Sequence, residues 1–243
     1  VVPEHIVPFD WPSQTGVGVG DGWLAVGLRG GKIGFARCDG TSRQVVDLGG
    51  LKAVETNPVI QSGRIFFVSN EMTVECVPVD PSIRAEGWPI ALSDAAATQL
   101  SIGDGRIALV DQGGLLHCWE QATGRLLWTT ALDGNPSGPP TIANRKVYVG
   151  SSEGSLAVFD LTDGHSHGVL RSPVGLTTAI KVIGKSLFFG CSDGAVRAVD
   201  FDAGKVLWCE DIGRVPFSLG MAISQESLMV AAKEGVLALD LVS

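Results

Sequence analysis

The stretch VYVGSSEGSLAVFD, Val147 to Asp160, reads as a strand, a tight turn and a second strand. Forty residues later the chain writes nearly the same thing again, LFFGCSDGAVRAVD, Leu187 to Asp200. Taking the turn residue Gly154 as anchor, equivalent positions are Gly31, Met72, Gly114, Gly194 and Gly235, spaced 40 to 42 residues apart. Six units of this length account for the whole 243-residue chain.

The equivalence holds at single positions. Two residues after each anchor stand Ile33, Val74, Leu116, Leu156, Val196 and Leu237, and two further on stand Phe35, Cys76, Cys118, Val158, Ala198 and Leu239. This is the period-two pattern of a strand with a buried face. Seven residues before the anchor come Leu24, Ile65, Ile107, Val147, Leu187 and Leu228; five before it come Val26, Phe67, Leu109, Val149, Phe189 and Val230. Twelve before it, a further strand contributes Val19, Ile60, Ile102, Ile142, Val182 and Ile223. A polar turn such as Glu120–Arg125 or Asp200–Lys205 then leads into an outer strand beginning Leu126-Leu127-Trp128 or Val206-Leu207-Trp208.

Four antiparallel strands per repeat of about 40–45 residues describe the blade of a propeller. One such sheet cannot bury both faces alone, so neighbouring repeats must stack. The expected fold is all-β: a six-bladed β-propeller of four-stranded antiparallel blades, filling residues 1–243 as a single domain. The last unit stops where its outer strand should begin, and residues 3–12 have no place in the first unit. Ring closure by this N-terminal segment, pairing as the outer strand of the last blade, removes exposed sheet edges.

The segments GSLAVFDLTDG, GAVRAVDFDAGKVLW and GLLHCWEQATGRLLW resemble the PQQ-like (quinoprotein-type, BamB-like) propeller repeat, DG-x-L-x-A-x-D-x-x-TG-K-x-x-W. The resemblance spans the chain and is clearest in units three to five. It implies that Trp128, Trp208 and Trp88 are structural tryptophans packed between blades. Unit two has Met72 for the turn glycine, unit four has GHSHG where the tryptophan should fall, and unit one has GTSRQ there. Cofactor-bearing relatives have a vicinal cysteine pair and a Ca²⁺ site. This chain has no Cys-Cys pair and no acidic cluster at a blade mouth, so neither cofactor nor metal is expected.

The remaining chemistry reads as fold. A net charge of −8 with no Lys/Arg cluster argues against nucleic acid or an anionic lipid surface, and no apolar run reaches membrane-spanning length. Five isolated cysteines without CxxC are expected as free, mostly buried thiols and lean towards a reducing compartment. His165 and His167, with Asp163 nearby, form the one candidate histidine pair, and a polar turn explains them as well. Gly16–Trp23 echoes a dinucleotide loop but precedes a strand, leaving no helix terminus to meet a phosphate. Cys191-Ser192 falls in a hairpin turn of the repeat.

No catalytic residue is assigned, which points to a binding scaffold for a protein partner. The alternative is a small-molecule or glycan site, or an enzyme site, at the mouth of a central channel. The inner strands bring Thr56, Asn57, Thr98, Gln99, Thr177 and Thr178 towards that axis. Candidate interaction residues lie on the longer connections: Lys52, Glu55, Asn57, Asp94, Gln99, Asn135, Arg214 and Phe217.

Overall fold

The computed structural model describes residues 9–49, 51–83, 85–213, 221–224, 227–232 and 235–240, and all regular structure within them is β-strand. Six antiparallel sheets follow one another along the chain. The first holds β1 (Ser13–Gly20), β2 (Trp23–Leu28), β3 (Lys32–Arg37) and β4 (Arg43–Asp47). The second holds β5 (Val59–Gln61), β6 (Arg64–Ser69), β7 (Thr73–Pro78) and the two-residue β8 (Ile90–Ala91). The third holds β9 (Ser101–Gly103), β10 (Arg106–Val110), β11 (Leu115–Glu120) and β12 (Leu126–Ala131). The fourth holds β13 (Thr141–Ala143), β14 (Lys146–Gly150), β15 (Ser155–Asp160) and β16 (Ser166–Arg171). The fifth holds β17 (Lys181–Ile183), β18 (Ser186–Gly190), β19 (Ala195–Asp200) and β20 (Lys205–Asp211). The sixth holds β21 (Met221–Ser224), β22 (Ser227–Ala232) and β23 (Gly235–Asp240).

Strand order within every sheet is sequential, so each connection is a local hairpin. The first hairpin of four repeats turns on two residues of positive φ, Asp21-Gly22, Ser62-Gly63, Asp104-Gly105 and Asn144-Arg145. That is the turn whose twist matches the flanking strands.

The chain divides into two compact units, one of residues 1–107, 111–113 and 119–126, the other of 108–110, 114–118 and 127–243. One packing rule recurs inside both. In the first, Ile33 and Phe35 of β3 pack with Ile65 and Phe67 of β6. In the second, Leu116 and Cys118 pack with Val147 and Val149, Leu156 and Val158 with Leu187 and Phe189, and Val196 and Ala198 with Leu228 and Val230. Residues two and four after one anchor thus meet those seven and five before the next. The repeat spacing fixes this, because alternation along each strand places both pairs on facing surfaces.

The terminal sheets break the rule in a consistent direction. Leu237 is 41% exposed where Ile33 to Val196 are closed off, and on the inner strands Val19 and Ile223 are 68% and 39% exposed where Ile60 is buried. The sixth sheet has three strands among the described residues. Of the segment 3–12, residues 3–8 lie outside the described residues. The rest is not strand: the Phe9 ring lies against Gly34 and Leu28, and the Arg29 N–H donates to the Pro12 carbonyl at 3.0 Å.

Candidate functional site

The connections expected to carry an interaction surface are tied to neighbouring hairpins. Val54, Ala96, Pro136 and Leu176 each form a single bridge to the hairpin that follows, at Ser69, Asp111, Ser151 and Cys191. In the first unit Lys52 Nζ lies 2.8 Å from Glu75 Oε1 and 3.2 Å from Glu71 Oε2. Asn57 Oδ1 accepts the Gly16 N–H at 2.8 Å. Glu55 and Asp94 are exposed, and Asp94 accepts the N–H of Ala95 at 2.7 Å. Gln99 is half-buried. In the second unit Asn135 is held by Glu153, its N–H and side-chain amide donating at 2.8 and 2.7 Å. Those two bonds hold the Glu153 carboxyl below its ordinary range. Arg214 and Phe217 lie outside the described residues.

Two of the threonines named for a channel ligand, Thr56 and Thr178, already hold backbone groups. The Thr56 hydroxyl accepts the Val68 N–H at 2.9 Å, and the Thr178 hydroxyl accepts the Gly190 N–H at 3.0 Å. Thr15 does the same for Gly27 at 2.9 Å. Each bond spans the same twelve residues, so the polar inner strand is a repeated structural device. Thr56, Thr98 and Thr178 are buried. Thr177 Oγ1 is buried with no hydrogen-bond partner.

His165 and His167 stand edge to face with ring centroids 6.4 Å apart. His167 Nε2 lies 3.8 Å from Asp160 Oδ2, while Asp163 accepts the His165 backbone N–H at 2.9 Å. Among the described residues no three His, Cys, Asp or Glu side chains gather as a metal-binding group. The cysteines depart from the expectation of burial. Cys118 and Cys191 are buried and Cys76 half-buried, but Cys38 and Cys209 are exposed, and all five are free. Burial pushes the Cys76 thiol up to about 12 and raises that of Cys191. Neither is a nucleophile near neutral pH.

One charged contact stands out. Arg197 grips Asp193 with two bonds of 3.0 and 2.5 Å across the fifth hairpin, and the Ala195 N–H adds a third at 3.1 Å. The guanidinium, then the backbone bond, hold the Asp193 carboxyl down at about 2 against an ordinary 3.8. A lowered folded-state value stabilises the fold above pH 4 and is lost as pH falls from 4 towards 2. The side chain is part-exposed, so solvent screens the effect. Thermal melts should show Asp193→Asn less stable than the parent at pH 6 and level with it at pH 2; a gap constant across that range contradicts the assignment.

The structural tryptophans are placed differently from one another. Trp128, on β12, is 8% exposed, and its Nε1–H donates to the Leu161 carbonyl in the β15–β16 turn at 3.0 Å. A Cβ added to Gly164 in that turn would fall 2.7 Å from the indole, so the ring needs glycine beneath it. Trp208, on β20, stacks against Phe188 at 5.8 Å between centroids. Trp88 lies edge-on to Phe66 at 5.2 Å, and its buried Nε1 has no partner. Beside it, the backbone of Gly87 lies so close to Thr123 that a Cβ would overlap the Thr123 carbonyl.

No curated protein matches the chain in sequence. Among solved structures, BamB from Moraxella catarrhalis superposes with a TM-score of 0.71 at 20% identity, covering 93% of this chain and 73% of that one. The computationally designed protein Ika8 superposes with a TM-score of 0.74 at 16% identity, covering 94% of this chain and 70% of that one. At those identities the likeness is one of fold. Residues 77–225 match the family model described as outer membrane protein assembly factor BamB, a span of more than half the chain. The sheets, the shared packing rule and that match make the chain a member of the BamB-type, PQQ-like β-propeller repeat family.

Proposed function

We propose that this chain is a non-catalytic scaffold that holds a protein partner on the outer strands of its sheets. The observation that carries the reading is β20. Val206 and Leu207 lie where the pairing of β20 shifts register, and they are 53% and 47% exposed. β20 also ends its sheet's strand order, with no strand beside its outer edge among the described residues. Such an edge accepts an added strand or an apolar side chain from a partner. The family's description makes a component of outer-membrane protein assembly the first partner to test. The test is crosslinking and capture with the full chain, in parallel with Val206→Asp and Leu207→Asp. A partner held by the parent and lost from both variants supports the reading. Capture indifferent to β20, or turnover of a substrate by the chain, contradicts it.

We further propose that the six repeats form one domain whose ring is closed against β23 by the part of segment 3–12 that precedes Phe9. The 41% exposure of Leu237, at a position closed off in the other five repeats, supports this. Removal of residues 1–12 should then speed amide exchange along β23; an unchanged rate there contradicts closure.

A further inference from the structure

Trp128 and its resting place provide an internal standard for the next repeat. Fourteen residues after the anchor stand Trp128 in the third unit, Trp208 in the fifth and Gly168 in the fourth. Strand pairing confirms the equivalence independently of spacing. Gly168 pairs with Val158 and Trp208 with Ala198, and in both sheets the register shifts at the next step. Opposite Gly168, the β19–β20 turn aligns with the turn that seats Trp128, Phe201 standing at the position of Leu161 and Gly204 at that of Gly164, although the Gly164 N–H donates to Asp160 and the Gly204 N–H to Phe201.

Among the described residues no ring occupies this position. At Gly164 an added Cβ meets the Trp128 indole, whereas at both Gly204 and Gly168 it meets nothing within 4 Å. Between them runs an open groove of about 460 Å³, lined by residues 167–170 and 201–204, the Asp202 carboxylate among them. That volume falls in the range of ligand-binding pockets. Leu170 and Phe201 pack against the core between the fourth and fifth sheets and give the groove an apolar floor. The Phe201 carbonyl accepts the Gly204 N–H at 3.1 Å and keeps a second lone pair for an indole N–H.

We propose that this groove is a vacant tryptophan socket that takes an exposed tryptophan side chain of a protein partner. The inference rests on the scaffold reading and deepens it, naming the chemistry of one anchor. The neighbouring seat, occupied by an indole on a strand, identifies the occupant. Tryptophan also recurs as an interface anchor because one ring fills a pocket while its N–H satisfies a buried acceptor.

The experiment titrates the full, isotope-labelled chain with N-acetyl-tryptophanamide and follows amide and methyl resonances. The result expected is saturable shifts confined to Gly168, Leu170, Ala203 and Gly204, with a dissociation constant on the order of 1 mM for one isolated side chain. N-acetyl-leucinamide should give less than about a tenth of that response. Ala203→Glu, at an exposed position, should abolish it. Gly168→Trp should fill the socket from within, although Gly168 has φ +120° and the substitution must first relax that backbone. Shifts centred elsewhere, or an equal response to the leucine amide, overturn the proposal. Tighter binding of free indole than of the amide overturns the partner assignment in favour of a small ligand. Capture through β20 reads the scaffold function separately, so a captured partner with a silent groove removes the socket alone.

Discussion

Trp128→Ala is expected to lower stability by about 3–5 kcal/mol, the usual cost of deleting a large buried aromatic side chain. In a chain of this size that is a fall in melting temperature of roughly 10 °C. The indole is buried within the core shared by the third and fourth sheets, beside Phe159 and Leu161. Its loss leaves a cavity over Gly164, which has no side chain to collapse into it. Trp128→Phe separates the two contributions. It keeps most of the ring but leaves the Leu161 carbonyl without its indole donor, for about 1 kcal/mol. A loss below about 1 kcal/mol for Trp128→Ala would mean that the ring is not the wedge between these sheets.

Gly18→Ala is the second large effect, expected at about 3 kcal/mol from one added methyl group. Glycine alternates along β1 at 16, 18 and 20, and each faces the second sheet. A Cβ at Gly18 would overlap the Pro58 carbonyl and one at Gly20 the Ile60 carbonyl, and backbone cannot step aside as a side chain can. Gly18 has no positive φ, so the glycine answers to close approach and not to turn geometry. Val19, one residue on, points the other way and is exposed; Val19→Ala is the matched control and should change stability by less than about 0.5 kcal/mol. Equal effects at the two positions in equilibrium denaturation would contradict the assigned facing of β1.

The repeat was legible because hydrophobic alternation is set by burial on one face, and burial recurs whenever sheets stack. Ile33, Leu116, Leu156 and Val196 could be placed from spacing alone. The glycines of β1 could not: GVGVG carries no trace of the Pro58 and Ile60 backbone that requires it. The structural bonds of Thr56 and Thr178 were not legible for a related reason. A hydroxyl serving a backbone N–H twelve residues away has the same letter as one serving a ligand. The five cysteines were expected mostly inside because cysteine packs as a small hydrophobe, but Cys38 and Cys209 fall on exposed positions of a turn and of an outer strand. The candidate site was least legible of all. GHSHG announced a missing tryptophan, but only the empty space above Gly204 shows that its seat was kept.

Amide hydrogen exchange, read residue by residue across the full chain, tests the repeated-sheet account most directly. The account predicts that the slowest amides recur on β2–β3, β6–β7, β10–β11, β14–β15 and β18–β19, at the 40- to 42-residue spacing of the sequence. The outer strands β4, β8, β12, β16 and β20 should exchange faster between them. Protection that is uniform, or that recurs at any other period, would contradict it.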